Sequence, residues 1–433
     1  MTRTTLIVGG GAAAALSARR LAGAHDHRVV VVDPSPEPGA GPAYDKAAPW
    51  HLLNSPAASM SVEPDDPTHF ITWAASVGHP VSADEFAPRS LYGRYLRAML
   101  AATPGVQVVP GTVLDVDDTL TVHTDTGKRL AATDVVLAVG NPSGGRPVPA
   151  LTGHPRYLHD PWNVEDIPEG PVLLIGTGLT AVDMALSVTR RYADTRVDAV
   201  SRHGLLPRPH RPFGEVAATK EFTVEPTASL SRLVASVRNA VAHTGDWRAV
   251  VDGMRPHIDS LWIGLDASSQ RRFIEHVARV WEVHRHRMAP TIATDVDRLR
   301  ATGRLTVAAD RIVDVEVERR DRIGVTFAGG EHRDYAAVIN CTGPGRLPAG
   351  ADRLVAGLLS AGRARVGPYR LGLDVDRHGH VVDAHGRVNR HLWVLGALRR
   401  GCLWETTAVP EIRRQAVALA DAITATPVET ATG

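Results

Sequence analysis

The feature that most constrains the fold is a glycine-rich turn near the start of the chain. Gly9, Gly11 and Ala14 form a Gly-x-Gly-x-x-Ala motif. A strand is predicted at residues 4–8 and a helix at about residues 13–22. In such a unit the first glycine makes the turn, the second lets the backbone approach a pyrophosphate, and the small third residue lets the helix pack on the strand.

The end of the following strand supports a nucleotide site at this turn. The next predicted strand, residues 28–32, ends at Asp33, at the spacing where such units carry an acid for ribose hydroxyls. The helix N-terminus offers free N–H groups and the positive end of a dipole to an anion. We therefore expect a bound dinucleotide; the alternative is a turn that only packs a helix on a sheet.

A second glycine turn lies in the middle of the chain and again separates a predicted strand from a predicted helix. It contains Gly176, Gly178 and Thr180. Here the next strand ends in Ser201 and Arg202 instead of an acid. A serine and an arginine suit a 2′-phosphate, which favours NADPH over NADH. The alternative is a surface pair that happens to follow a strand.

The repeated strand–turn–helix–strand pattern predicts an α/β fold with two Rossmann-like dinucleotide-binding domains. We expect the second of these domains to be inserted in the first. The predicted boundaries place the first domain at residues 1–165 and 331–433 and the second at 166–330. The second domain carries a helical insertion at about residues 225–300.

Composition excludes several other classes of protein. The 433 residues include 48 Lys and Arg against 47 Asp and Glu, so no basic field indicates nucleic acid or an anionic membrane. The two cysteines, Cys341 and Cys402, are far apart, which argues against a disulfide scaffold, a cysteine-built metal site or a dithiol relay. No apolar run reaches the length of a membrane span. The first residues imitate a secretory leader, but they continue into a βαβ pattern, and we expect a cytoplasmic protein.

The C-terminal region contains a further candidate site. A helix is predicted from about Pro410, preceded by Trp404, Glu405 and Val409. Its N-terminus could stabilise negative charge on a reduced flavin. Taken alone, this segment is only a capped helix.

Several segments together resemble one family of proteins. They are residues 9–14, 41–44, 51–54, 91–96, 176–183, 201–207, 284–290, 341–344 and 404–413. Over nearly its whole length the chain resembles flavoproteins with two dinucleotide-binding domains, and more narrowly the bacterial FAD/NAD(P)-binding proteins. Some members of that group are similar to flavin-dependent N-hydroxylases that act on amino-acid amines.

The resemblance implies that the first unit, completed by the C-terminal segment, binds FAD and that the second binds the nicotinamide nucleotide. It places Asn54 near the flavin ring and identifies the strand ends at Gly140 and Gly343 as crossings between the domains. The further cofactor contacts that it implies are Pro34, Val113 and Thr342.

Two groups of cationic residues are candidates for substrate binding. His284 and Arg287 are predicted on the core-facing side of a helix that ends at Pro290, where they need polar partners; alternatively, they complement the C-terminal end of the helix dipole. Arg399 and Arg400 precede Trp404 and could hold a carboxylate, or they could be a solvated surface pair.

The function expected from these features is that of an NADPH-dependent FAD monooxygenase. It would hydroxylate the nitrogen of an amino acid or other small amine with O₂, through a flavin C4a-hydroperoxide. No catalytic side chain is singled out. The alternatives are an NAD(P)H-dependent flavin oxidase or dehydrogenase and a non-catalytic flavin-binding redox module. A homodimer is left open.

Overall fold

The computed structural model describes residues 3–23, 27–162, 167–212 and 221–425. The chain divides into two compact units. The first unit consists of residues 1–143 and 345–433, and the second of residues 144–344.

These boundaries differ from the predicted ones at 165/166 and 330/331. The short strand Tyr157–Leu158 lies in the region interpreted as a linker, and it pairs with Ala337–Asn340. Both strands belong to the sheet of the second unit. This pairing shifts both ends of the second unit outward along the chain.

The strands of the described residues are, in chain order, β1 Arg3–Val8, β2 His27–Asp33, β3 Val106–Pro110, β4 Val113–Val116, β5 Thr121–Thr124, β6 Arg129–Ala131, β7 Asp134–Leu137, β8 Tyr157–Leu158, β9 Val172–Ile175, β10 Val197–Ser201, β11 Leu305–Ala309, β12 Ile312–Glu316, β13 Ile323–Phe327, β14 His332–Tyr335, β15 Ala337–Asn340, β16 His380–Val382 and β17 Val388–Val394.

The helices are, in the same order, α1 Ala12–Ala22, α2 Pro42–Asp45, α3 His69–Ser76, α4 Arg89–Ala101, α5 Leu179–Arg191, α6 Leu230–Thr244, α7 Trp247–Met254, α8 Ile258–Gly264, α9 Ala267–Arg272, α10 Ala278–Arg285, α11 Pro290–Ala301, α12 Arg353–Ser360 and α13 Val409–Ala425. Within the described ranges, no helix has the length and apolar character needed to cross a membrane.

The first unit contains a sheet in the order β16-β17-β7-β1-β2-β3, with a separate antiparallel sheet β4-β5-β6. Within the six-stranded sheet, neighbouring strands are parallel except for β16 and β17, which are antiparallel. Strands covered on both faces are apolar throughout rather than alternating, as in the run 29–32. One face packs against α1, α4 and α13, and the other against the antiparallel sheet and α12.

The second unit repeats much of this arrangement. Its main sheet has the order β11-β10-β9-β15-β8, with a separate antiparallel sheet β12-β13-β14. All its main-sheet pairs are parallel. In the first unit β1 lies between β2 and β7, and in the second unit β9 lies between β10 and β15; β7 and β15 each follow the antiparallel sheet of their unit. The predicted internal repeat therefore extends from the glycine turns to the strand order.

The helical insertion is not one regular α-helical repeat. A π-helical turn, Phe273–Val277, separates α9 from α10. A π turn adds a residue to the helical repeat, so a face counted at α-helical spacing shifts beyond this point. Val280 is 48% exposed, whereas Arg285 is buried. Pro290 begins α11 instead of ending the preceding helix.

Candidate dinucleotide-binding sites

The first glycine turn is held tightly between neighbouring strand ends. Gly9 has φ +105°, a conformation that L side chains rarely adopt. A Cβ atom on Gly9 would lie 2.6 Å from the Ala138 carbonyl oxygen. The Gly9 N–H donates to the Val32 carbonyl at 2.9 Å. The turn therefore requires glycine for both conformation and space.

The helix that follows this turn has an open N-terminus. Gly11 is its N-cap, with φ −86° and ψ −170°, and no side chain in the described ranges caps it. Beside Gly11, the Cα of Gly41 would be 3.8 Å from an added Cβ atom. Ala14 is fully buried against the core. The first N–H groups of α1 are thus available to an anion.

Asp33 ends β2 and lies against the turn. Its Oδ1 accepts a hydrogen bond from the Ser35 N–H at 2.9 Å. Burial raises the pKa of Asp33, although backbone N–H groups of Ser35 and Gly10 oppose that rise. A Cβ atom on Gly10 would lie 2.5 Å from the Asp33 Cγ. The acid thus occupies the space beside the middle residue of the turn.

The C-terminal segment reaches the same turn within the first unit. A Cβ atom on Gly396 would lie 3.6 Å from the Ala13 Cβ and 3.8 Å from the Thr406 carbonyl oxygen. Thr406 is 2% exposed, and its hydroxyl has no hydrogen-bond partner among the described residues. Such a buried hydroxyl indicates a missing partner. It was not singled out from the sequence, where an isolated threonine gives no signal.

The predicted flavin contacts of this segment are mostly buried. Trp404, Glu405 and Val409 are buried, and Pro410 is the second residue of α13, which begins at Val409. The helix thus begins where the Pro410 signal predicted. Any contact of these side chains with a flavin stays a prediction.

The second glycine turn reproduces the backbone of the first. Gly176 has φ +119°, and an added Cβ atom would overlap the Cys341 carbonyl oxygen. Its N–H donates to the Val200 carbonyl at 2.7 Å. Gly178 is the N-cap of α5, with φ −83° and ψ −169°, and Thr180 lies in the first turn of that helix. The two turns therefore present equivalent helix N-termini.

The strand end differs between the turns, as the sequence indicated. Ser201 Oγ lies 2.9 Å from Thr177 Oγ1, and the Thr177 hydroxyl donates to the Leu205 carbonyl at 2.7 Å. The Gly204 N–H donates to Ser201 Oγ at 3.0 Å. Arg202 is exposed.

The crossings at the two strand ends also match. Gly140 has φ +83° and Gly343 has φ +81°, and open space surrounds an added Cβ atom at both positions. In the second unit, Asn340 Oδ1 accepts hydrogen bonds from the Thr342 N–H at 3.2 Å and the Thr342 hydroxyl at 2.7 Å. Thr342 is therefore fixed by its own strand end.

The remaining predicted FAD contacts differ in exposure. Pro34 is exposed, Asn54 is half-buried, and Val113 is buried at the start of β4. His51, 1% exposed, accepts a hydrogen bond at Nδ1 from the Ala48 N–H at 3.1 Å. His51 therefore has a partner within its own loop.

His284 and Arg287 both lie beside Trp247 of the helical insertion. The His284 ring is 4.8 Å from the Trp247 ring, and the Arg287 guanidinium is 5.9 Å from it. His284 Nδ1 lies 2.7 Å from the Val280 carbonyl oxygen. Arg287 forms an ion pair with Asp252. Arg287 is buried and His284 is half-buried, and each has a protein partner, so a role of either in substrate binding stays a prediction.

Arg399 and Arg400 have different partners. Arg399 is buried and donates from Nη2 to the Arg377 carbonyl at 3.0 Å. The Arg400 guanidinium lies 4.7 Å from the centre of the Trp404 ring. A solvated surface pair is wrong for Arg399, and a joint carboxylate clamp stays a prediction.

The residues at both turns fit a dinucleotide. Each turn offers glycines that permit a close backbone approach and a helix N-terminus without a side-chain cap. The first unit adds the Asp33 carboxylate for hydroxyls and the unpartnered Thr406 hydroxyl. The second adds Ser201 and the exposed cation of Arg202. These donor sets are of the type that binds phosphates and riboses.

Comparison with known proteins agrees with this geometry. Residues 6–142 match the model of a family described as FAD-NAD(P)-binding. No curated protein matches the chain in sequence. The structure is similar to that of reduced ornithine hydroxylase from Pseudomonas aeruginosa, with a TM-score of 0.65, 14% identity, and coverage of 98% of this chain and 99% of that one.

Two further solved structures are similar. Ornithine N-hydroxylase from Kutzneria sp. 744, with reduced FAD, NADP⁺ and L-ornithine, gives a TM-score of 0.62 at 15% identity, covering 98% of this chain and 99% of that one. L-lysine 6-monooxygenase from Pseudomonas syringae gives 0.62 at 16% identity, covering 97% and 98%. Residues 6–142 thus match an FAD-NAD(P)-binding family, and the chain as a whole has the fold of the ornithine and lysine hydroxylases.

Proposed function

We propose that this protein is an NADPH-dependent FAD monooxygenase that hydroxylates the nitrogen of an amino acid or other small amine. The observation that carries the proposal is the pair of equivalent glycine turns, one followed by an acid and the other by Ser201 and Arg202. Two sites of different preference suit two different dinucleotides. The reaction class is supported by the likeness to three hydroxylases over nearly the whole chain.

In the first unit, the turn at residues 9–14 would hold the diphosphate of FAD. The open N-terminus of α1 supplies N–H donors and the positive end of a dipole. Asp33 would accept hydrogen bonds from the ribose hydroxyls, and the Thr406 hydroxyl would gain a partner that the described protein does not supply. When bound and reduced by NADPH, the flavin supplies the O₂ chemistry that no protein side chain can provide.

In the second unit, the turn at residues 176–181 would hold the diphosphate of NADPH. Ser201 and Arg202 would favour the 2′-phosphate, because a hydroxyl and a guanidinium donate to an anion that a carboxylate would repel. The protein's other tasks in this reaction are to orient the amine and to exclude water.

The four cations predicted to bind substrate are not assigned that role in this proposal. His284, Arg287, Arg399 and Arg400 each contact protein groups. A substrate carboxylate would have to compete with those contacts.

The proposal is tested by aerobic NADPH consumption of the FAD-loaded protein with a panel of amino acids and amines. The expected result is substrate-dependent consumption with a product heavier by one oxygen atom. Peroxide release without an oxygenated product would favour an oxidase. Bound flavin that NADPH does not bleach would favour a non-catalytic redox module. Protein that does not bind added FAD would overturn the proposal.

A further inference from the structure

Arg279 of the helical insertion lies against the second glycine turn. Its Nη2 donates to the Thr177 hydroxyl at 3.1 Å and to the Leu205 carbonyl at 2.6 Å. Its Nη1 would lie 3.9 Å from a Cβ atom on Gly178, the N-cap of α5. The Arg279 side chain thus lies beside the N-terminus of α5, although it is distant in sequence from the glycine turn.

The positive charge of Arg279 is only weakly compensated by its neighbours among the described residues. Both of its close hydrogen bonds go to uncharged oxygens. Its ion pair with Glu282 is long, 3.9 Å between Nη1 and Oε2, with both side chains about 30% exposed. Burial lowers the pKa of Arg279, opposed by the Glu282 charge. A partly buried cation whose close hydrogen bonds go to neutral oxygens and whose ion pair is long can bind a further anion.

Two positive features therefore converge within the second unit. One is the uncapped N-terminus of the 13-residue helix α5; the other is the guanidinium beside its N-cap. The Ser201 hydroxyl, which would favour the 2′-phosphate, contacts the Thr177 hydroxyl and not the N-cap residue Gly178. Since Arg279 lies next to Gly178, it is placed for the phosphates that bind at the helix N-terminus.

We propose that Arg279 binds the diphosphate of the nicotinamide dinucleotide at this turn and so makes the helical insertion part of the nucleotide site. This inference rests on the proposed function, because it takes the second turn as a nicotinamide site. It adds a residue that the glycine motif does not contain. The merely structural alternative is that Arg279 only ties α10 to Thr177 and Leu205.

The test uses two fragments of the nucleotide on the FAD-loaded protein. ADP-ribose contains the diphosphate but no 2′-phosphate, whereas 2′-AMP contains the 2′-phosphate but no diphosphate. Their dissociation constants are measured by calorimetry, alongside that of NADP⁺. Arg279→Met is expected to weaken ADP-ribose and NADP⁺ about tenfold, as loss of a charge-assisted contact does, and to leave 2′-AMP within about twofold.

Two variants separate binding from folding. Arg279→Lys keeps a charge, and we expect it to retain more ADP-ribose affinity than Arg279→Met. Arg271→Met removes an exposed arginine from the same insertion and is the matched control, expected to change neither constant. Thermal unfolding of each variant measures any structural role separately.

Several outcomes would overturn the inference. Unchanged ADP-ribose affinity in Arg279→Met, with normal NADP⁺ binding by the wild type, would remove Arg279 from the site and leave the proposed function intact. Loss of 2′-AMP alone would assign Arg279 to the 2′-phosphate. Equal losses in Arg279→Lys and Arg279→Met that follow a lowered melting temperature would establish the structural role. A wild type that binds none of the three probes would overturn the proposed function as well.

Discussion

The two glycine turns share one backbone but differ at the residue between the two glycines and at the strand end that this residue contacts. Gly9 and Gly176 both have positive φ, and their N–H groups donate to the carbonyls of Val32 in β2 and Val200 in β10. The N-cap angles of the helices that follow agree within a few degrees. The middle residue and the strand end differ together: Gly10 stands beside Asp33, and Thr177 beside Ser201.

This paired difference has a steric reason. In the first unit an added Cβ atom on Gly10 would lie 2.5 Å from the Asp33 Cγ and 2.5 Å from the Pro38 Cβ. In the second unit the shorter Ser201 leaves room for the Thr177 side chain, which bonds to it. We therefore expect the backbone to set where a phosphate binds and the residue pair to set which ribose is preferred.

The strongest way to break the equivalence is to replace the first glycine of each turn. Gly9→Ala is expected to abolish FAD retention, and Gly176→Ala to reduce NADP⁺ affinity by about tenfold to a hundredfold, because a side chain there is strained and overlaps a carbonyl. Flavin absorbance and NADP⁺ calorimetry measure these effects.

Gly78→Ala and Gly303→Ala are the matched controls. Both glycines have positive φ with open space around an added Cβ atom, so these variants carry the conformational strain without the overlap. Full FAD and NADP⁺ binding by Gly9→Ala and Gly176→Ala would refute the equivalence.

Giving the second turn the glycine and aspartate of the first tests whether these two residues set the nucleotide preference. Ser201→Asp is expected to raise the KM for NADPH about tenfold, because its carboxylate repels a 2′-phosphate. Thr177 crowds the new acid, so we expect a gain in NADH use only in Thr177→Gly/Ser201→Asp. The kcat/KM ratio for the two nucleotides is measured, with Ser201→Asn as the uncharged control. An unchanged ratio in the double variant would contradict the assigned preference.

Removing the Thr406 hydroxyl is expected to weaken FAD binding by a smaller factor, without lowering the stability of the FAD-free protein. Thr406→Val is expected to weaken FAD about fivefold to tenfold, the cost of one lost hydrogen bond. In the FAD-free protein the same change removes a buried hydroxyl that has no described partner, so the melting temperature should rise or stay constant. Thr406→Ser keeps the hydroxyl and is the control. A lower melting temperature with unchanged FAD affinity would indicate a structural role.

The smallest expected effect is the pH dependence at Asp33. Ribose hydroxyls bind the ionised carboxylate, so FAD affinity is full above the pKa of Asp33 and falls as the pH drops through it. Because burial raises that pKa, the fall begins at a higher pH than for an ordinary aspartate. FAD titration from neutral to acidic pH tests this, and Asp33→Asn should remove the dependence. In the FAD-free protein the contribution of Asp33 to the unfolding free energy should change oppositely and rise as Asp33 is protonated, so the stability difference between the wild type and Asp33→Asn measures it over the same pH range.

Both glycine turns, their strands and the contrast between Asp33 and Ser201 were predictable from the sequence, because glycine spacing and strand ends are local signals. The strand Tyr157–Leu158 was not, because two residues in a Pro- and Gly-rich segment form a strand only when β15 pairs with them. The unit boundaries moved for the same reason.

The candidate site was predictable where its residues are close in sequence. Thr406 and Arg279 were missed because their positions depend on tertiary contacts with Gly396 and with Thr177. His284 and Arg287 were predicted to need polar partners, but the sequence did not indicate that Asp252 pairs with Arg287. For Arg399 the sequence left a carboxylate contact or a surface position open, and its burial against the Arg377 carbonyl depends on the fold.

The π-helical turn Phe273–Val277 has a consequence for how the insertion could be altered. A residue in an α-helix advances about 100° around the axis, so shortening this turn by one residue would rotate α10 by roughly that angle relative to α9. Arg279 would then leave Thr177, and Arg285 would leave the interior. Deleting one residue of this turn would thus remove the contact between the insertion and the second glycine turn, although Arg279 and Thr177 themselves would be unchanged.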